Sequence, residues 1–333
     1  PSDTVADTTA VLETFEHNGV AIADTFAEAF TMVGTRVIVT AETAGWAETA
    51  GVQATGFATS VIACNAEAAI ERTLEPDSTP DGRPGVSLLV FAFNRDALAA
   101  AVIDRVGQCV LTCPTTACYN GLLDGDPEQR FDVGGQLRFF GDGYQASKKL
   151  GDRRLWRVPV MDGEFLCEER FGSAKGVAGG NLLICGTTTA EALEAATLAA
   201  DAIRQVPDCI LPFPGGLVRS GSKVGSQYKA LKASTNEAWC PTLRAQVDSV
   251  LPETVEAVYE IVIDGLTLDA VTHAMTVGLN TATNCHGIEL IGANLDSILV
   301  AEDRQLFGEA MAEIGQCTRP SAHVFPESQS QAA

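Results

Sequence analysis

The stretch NLLICGTTTAEALEAATLAADAIRQVPDCILPF, residues 181–213, lays out a strand, a helix and a second strand in order. NLLIC (181–185) is a short apolar run of the kind that forms a buried strand. Thr188 followed by Glu191 has the form of a capping box and predicts a helix from about 188 to 205, with Leu193, Ala196, Ala200 and Ile203 as its apolar stripe. DCILPF (208–213) reads as the next strand. Toward the C-terminus follow AVYEIVI (257–263), a helix over 266–280 and GIELI (287–291), which completes a β-α-β-β-α-β order.

The first half of the chain repeats that order. TRVIVT (35–40) precedes a helix-prone stretch around Trp46, then SVIAC (60–64), the turn DSTPDGRPG (77–85), VSLLVFAF (86–93), a helix near 95–105 and QCVLTC (108–113). The pattern predicts an α+β fold, a tandem duplication of a ferredoxin-like (split βαβ) unit in two lobes. Helices would cover one face of each sheet and leave the other for lobe-on-lobe burial or a ligand cleft. The expected divisions are an N-terminal extension (1–18), a first lobe (19–160), a second lobe (161–317) and a Ser/Gln/Pro-rich disordered tail (318–333).

Composition narrows the function. The net charge of −21, from 43 acids against 22 bases, offers no extended basic stripe for a phosphate backbone and argues against nucleic-acid binding. No apolar run approaches the ~20 residues of a membrane span, and the acidic opening residues lack a signal peptide's basic and apolar regions, so a cytoplasmic protein without membrane contact is expected. Ten cysteines scattered through apolar segments read as reduced thiols, and Cys109, Cys113 and Cys118 match no common zinc spacing.

Against this acidic background, residues 209–236 contain no Asp or Glu. Pro212, Phe213, Pro214, Gly215 and Gly216 open the segment; Arg219, Lys223, Lys229 and Lys232 supply cations; Ser222, Ser226, Ser234, Thr235 and Asn236 supply polar donors. Glycine-rich backbone, hydroxyls and a focused positive field suit an anionic ligand, and the same residues also fit a solvated surface loop. Gly216-x-x-x-x-Gly221 misses the phosphate-loop pattern because Ser222 precedes Lys223. Ser220-x-x-Lys223 has the spacing of serine–lysine acyl hydrolases, without their K-T-G element and beside helix-breaking glycines. Glu260 interrupts the apolar row Val258, Val262 on one strand face, where desolvation raises a carboxyl's pKa toward general-acid chemistry; an acid on a half-solvated face is the plainer reading.

Eleven ordered segments together carry a family resemblance: GVAIADTFAEAF (19–30), ATGFATSVIAC (54–64), STPDGRPGV (78–86), GQCVLTCPT (107–115), FFGDGYQ (139–145), PVMDGEF (159–165), GVAGGN (176–181), PFPGG (212–216), SKVGS (222–226), KASTNEAWCPT (232–242) and VYEIVIDGL (258–266). Over about residues 19–294 the chain resembles the formylmethanofuran:tetrahydromethanopterin formyltransferases, above all the bacterial members that belong to a formyltransferase/hydrolase complex of one-carbon metabolism. The resemblance implies a duplicated ferredoxin-like fold, a homodimer or homotetramer, and no metal or prosthetic group. It implies formyl transfer between the amine of methanofuran and N5 of tetrahydromethanopterin, carriers whose anionic tails would give the basic segment a purpose. It places the catalytic glutamate at Glu260. After Asn294 the chain departs from the family's glycine-rich continuation, with an expected strand at Ile298–Val300 and a helix carrying Leu306, Phe307, Met311 and Ile314. That departure leaves a catalytically silent scaffold subunit of the same fold as the alternative to an enzyme.

Overall fold

The computed structural model describes residues 14–24, 30–124, 126–231 and 233–293. The expected C-terminal strand and helix, the tail from 318 and Lys232 lie outside the described residues.

The first repeat comprises strand β1 (Phe30–Thr40), helix α1 (Ala44–Thr55), β2 (Glu67–Leu74), β3 (Gly85–Ala92), helix α2 (Arg95–Arg105) and β4 (Ala117–Asn120). The second comprises β5 (Ala174–Gly186), α3 (Thr189–Ile203), β6 (Cys209–Ile210), β7 (Ala257–Gly265), α4 (Leu268–Thr283) and β8 (Ile288–Ala293). Each forms an antiparallel sheet with the same strand order, β2-β3-β1-β4 and β6-β7-β5-β8. Each helix begins at a residue whose short polar side chain accepts from a first-turn N–H: Thr43, Asn94, Thr188 and Thr267.

The two sheets are continuous. The N-terminal half of β1 pairs antiparallel with that of β5, from Phe30↔Ala178 to Gly34↔Ala174, so each first strand serves its own unit with one half and the other unit with the rest. A meander of three strands (Ala146–Leu150, Arg153–Val160 and Gly163–Glu168) extends the first unit beyond β4. At the far edge a hairpin, Thr14–His17 and Val20–Asp24, pairs parallel with β8. Residues 14–24, divided by the sequence reading between an extension and the first lobe, are therefore hydrogen-bonded into the second unit's sheet.

Helix-side cores fill separately. Val86, Leu88 and Val90 of β3 pack under α1 and α2, while Leu182 and Ile184 of β5 and Ile261 and Ile263 of β7 pack under α3 and α4. The opposite faces meet each other, Met32, Leu89 and Phe91 against Ala178, Ile210 and Leu266. The ring of Phe91 needs glycines at its sides: a Cβ on Gly34 would lie 2.5 Å from it and one on Gly176 2.8 Å. Arg36 of β1 clamps the junction. It donates two 2.8 Å hydrogen bonds to the buried Glu71 of β2 and a further one to Asp208, at the start of the second unit's edge strand. The Asp208 N–H and the Ser87 hydroxyl also donate to Glu71, at 3.0 and 2.6 Å.

Four local readings change. SVIAC is a turn closed by Ala63 and Cys64 N–H groups on the Ser60 carbonyl, and the strand is EAAIERTL (67–74). Its glutamates disguise it in sequence because Glu71 is neutralised from other strands and Glu67 accepts the Val61 N–H at 3.0 Å. QCVLTC continues α2 through a wide turn, Val106–Val110, in which Leu111 N–H donates to the Val106 carbonyl; a buried apolar run this short fits helix or strand equally. Of DCILPF only Cys209–Ile210 pairs, because Pro212 and Pro214 have no N–H to give a ladder. Leu193 is 43% exposed, and the buried seam of α3 is Ala192, Ala195, Ala196, Ala199, Ala200 and Ile203. Small residues bring α3 against α4, where a Cβ on Gly278 would meet Ile203 Cδ1 at 2.6 Å.

Candidate active site

Between β6 and β7 the chain leaves the sheet for residues 211–256, and this excursion carries nearly every residue the sequence singled out. It begins at a cavity of about 480 Å³ between the repeats, lined by Phe57, Ala69 and Glu71 of the first unit and by Pro212, Phe213, Pro214, Gly215 and Gly216 of the second. Gly215 and Gly216 have φ of +64° and +79°, left-handed values that favour glycine and let the chain turn back at the cavity wall. Two residues on, Val218 exchanges backbone hydrogen bonds of 2.8 and 2.9 Å with Glu260 of β7. The PFPGG turn is thereby tied by main chain to the glutamate.

Glu260 shares its strand face with Val258 and Val262, as alternation requires, and is half-buried. Burial pushes its carboxyl above the usual carboxylate range, and a hydrogen bond donated by Asn181 Nδ2 pulls it partly back. Asn181 lies on the adjacent β5, diagonal to Glu260, whose direct partner in the register is Leu183. Among the described residues no cation hydrogen-bonds to this carboxyl. A group so placed holds a proton to a higher pH than a solvated glutamate and can give it to a departing amine.

The remainder of the excursion forms a hairpin, Ser222–Val224 with Ala233–Thr235, beside a second cavity of about 690 Å³ lined in part by Lys223, Ser226, Ser234 and Thr235. Several of these groups already have partners. The Lys223 ammonium pairs with Glu237, the first acid beyond the acid-free stretch. Ser234 and Thr235 donate their hydroxyl protons to the carbonyls of Gly225 and Ser220, at 2.9 and 3.2 Å, and Ser226 Oγ accepts the Tyr228 N–H at 3.0 Å. Asn236 closes the hairpin base, its N–H on the Gly221 carbonyl at 2.5 Å. Ser234 and Thr235 spend their hydroxyl protons locking the loop on itself, whereas Ser226 only accepts and keeps its proton to donate. Arg219 and Ser222 are exposed.

The structure therefore sets Pro212–Gly216 on the first cavity and Lys223, Ser226, Ser234 and Thr235 on the second, while Arg219, Ser222, Asn236 and Glu260 line neither; Glu260 is joined to the first through Val218. It also removes the serine–lysine arrangement. Lys223 lies on a strand with its amine engaged by Glu237 and not by Ser220. No group of three metal-ligating side chains occurs among the described residues. Sequence reasoning passed over Asn181, whose signal was the GVAGGN segment: a polar side chain set after two glycines and ahead of an apolar strand.

Fold and site define a two-lobed α+β protein with a cleft between its lobes and a half-buried glutamate tied to the cleft wall by main chain, and family-level comparison agrees with that class. The formylmethanofuran-tetrahydromethanopterin formyltransferase model matches residues 15–160, and the model of that family's proximal lobe matches 163–298. The chain belongs to this family. It is 55% identical over 280 residues to a formylmethanofuran–tetrahydromethanopterin formyltransferase of Methylobacillus flagellatus, covering 83% of this chain and 93% of the relative. Two solved structures are similar. The formyltransferase of Methanosarcina barkeri superposes with a TM-score of 0.79 at 47% identity, covering 84% of this chain and 94% of that one. A chain of the formyltransferase/hydrolase complex FhcABCD of Methylorubrum extorquens, solved with methylofuran, gives 0.81 at 49% identity, covering 84% and 93%.

Proposed function

We propose that the chain transfers a formyl group between formylmethanofuran and N5 of tetrahydromethanopterin, with the two carriers as co-substrates and Glu260 as the general acid. The observation that carries the reading is the half-buried, unneutralised carboxyl of Glu260 on an apolar strand face, in a chain half identical to formyltransferases along most of their length. In direct transfer the N5 amine attacks the formamide carbon, forming a C–N bond and a tetrahedral oxyanion. Collapse breaks the bond to the methanofuran nitrogen, which leaves as an amine with the proton from Glu260. The carboxylate then regains a proton from the N5 ammonium. Arg219 and Lys223 are proposed to attract the carriers' anionic tails to the rim, and Pro212–Gly216 to shape the cleft wall. The matching strand orders of the two repeats and their reciprocal β1–β5 pairing support a tandem ferredoxin-like duplication. The complex in which the Methylorubrum relative was solved supports a seat among other subunits.

The test mixes formylated and free carriers. Transfer supports the enzyme, formate release alone a hydrolase, and partner binding without chemistry a scaffold. Glu260→Gln is expected to lower kcat by about 10²–10⁴ with little change in KM or folding. A near-normal kcat in that variant would remove Glu260 from the mechanism.

A further inference from the structure

GVAGGN (176–181) has so far no role beyond packing, yet its backbone is irregular at one place. Register runs Val177↔Gly265 and then Gly180↔Ile263, so Ala178 and Gly179 together face Asp264 alone. This is a β-bulge, and Gly179 has a φ of +92°. Gly180, the next residue, has no room for a side chain: a Cβ would lie 2.6 Å from Val271 Cγ1 on α4. The extra residue has a defined geometric effect. An unbulged ladder continuing from Val177↔Gly265 would set Asn181 opposite Ile261, on the face that packs under the helices. With the bulge, Asn181 lies opposite Val262 and on the face of Glu260, while Leu182 and Ile184 take the helix side.

From this geometry we infer that Asn181 is the positioning residue of Glu260, aimed by the glycine bulge so that its amide holds the carboxyl in one rotamer and sets its proton affinity. The inference rests on the reading of Glu260 as the acid of formyl transfer. A primary amide suits the task because it can serve both states of the acid. It donates from Nδ2 to the carboxylate, and turned over it accepts on Oδ1 from the carboxylic acid. Asn181 Oδ1 has no other partner among the described residues, so nothing else holds the amide to one orientation. An ammonium there would stabilise only the carboxylate, and a second carboxylate would repel it. The other titratable side chains of the two strands are Tyr259 and Asp264 on β7 and Lys175 and Cys185 on β5, and Arg219 follows the bridging Val218 in the excursion. None of them hydrogen-bonds to Glu260.

Two variants of the full chain test the inference, Asn181→Ala and the isosteric Asn181→Asp, with Glu260→Gln as reference. The Glu260 carboxyl is titrated by difference infrared spectroscopy, each protein against its own Glu260→Gln counterpart, and kcat and KM for transfer are followed with pH. Removing a donor to the ionised form raises the acid's pKa, so both the infrared titration and the alkaline limb of kcat are expected about one unit higher in Asn181→Ala and higher still in Asn181→Asp. Loss of the rotamer is expected to lower kcat about tenfold to hundredfold with KM within about threefold. A folded Asn181→Ala and Asn181→Asp that both titrate like the wild type overturn the inference, whatever their thermal stability. If Glu260→Gln alone keeps its activity while the titration still moves, the contact stands and the catalytic reading of Glu260 falls.

Discussion

Lys223 is the residue whose sequence reading changes most in three dimensions. In an acid-free segment it looked like an anion's counter-charge, yet its ammonium already pairs with Glu237. Both partners are about one-third or more exposed, so water and salt screen the pair and Lys223→Gln is expected to leave the urea denaturation midpoint nearly unchanged. The kinetic expectation differs. If the excursion attracts carrier tails, Lys223→Gln and Arg219→Gln each raise KM for one carrier about threefold to tenfold, and the deficit shrinks as salt is added. KM values indifferent to both substitutions would return the segment to a solvated loop. Glu260 is the converse case. Its place on an apolar strand face was legible from alternation alone, whereas Asn181, some eighty positions earlier, could not be paired with it without the register.

At the scale of elements, the long helices were legible because capping and apolar spacing act within one turn. The helix starts at Thr188 and Thr267 rest on side-chain oxygens that accept the Glu191 and Ala270 N–H groups, at 3.2 and 3.1 Å. Thr267→Ala is expected to cost about 1 kcal/mol in chemical denaturation, with activity retained. The strand Glu67–Leu74 was illegible for the opposite reason: its charges are balanced by residues far away in sequence, so its polarity resembles that of a surface loop. The β5 bulge was equally hidden. Gly180→Ala should destabilise by about 1–3 kcal/mol because the new methyl meets Val271, and a variant as stable as the wild type would mean that α4 shifts freely at this contact.

For the whole molecule, the junction between repeats holds two acids with opposite pH behaviour. Burial alone would raise Glu71, but the Arg36 guanidinium overcomes it and holds the carboxyl below the usual range. Its contribution is complete above the unfolded pKa and is lost as pH falls through the lower folded value. Glu71→Gln, which leaves Arg36 partly unpaired in a buried site, is expected to cost roughly 3–5 kcal/mol at pH 7 and much less in acid. Asp264 is fully buried, and among the described residues neither carboxylate oxygen meets a donor in good hydrogen-bond geometry; burial and then the nearby Glu67 raise it well above the usual range, against a smaller opposing pull from the Gly179 backbone. There the folded state keeps a proton that the unfolded state releases, so stability falls as pH climbs from the unfolded pKa toward the folded one. Asp264→Asn is expected to raise Tm on the alkaline side and flatten its decline, readable by calorimetry from pH 5 to 9. An unchanged slope would show that Asp264 does not titrate in this range.

The sequence by itself pointed to two successive α/β units, the long helices, the strands read at 35–40, 86–93, 181–185, 257–263 and 287–291, and the family, and it singled out Glu260 as a candidate acid. These follow from periodicities, caps and alternation that operate over a few residues. Tertiary structure decided the rest: how β1 and β5 join the sheets, which hydroxyls the excursion uses for itself, that Lys223 is paired, and that Asn181 faces Glu260. Each of those depends on partners set side by side by strand register, and one bulged residue is enough to turn a side chain from one face of the sheet to the other.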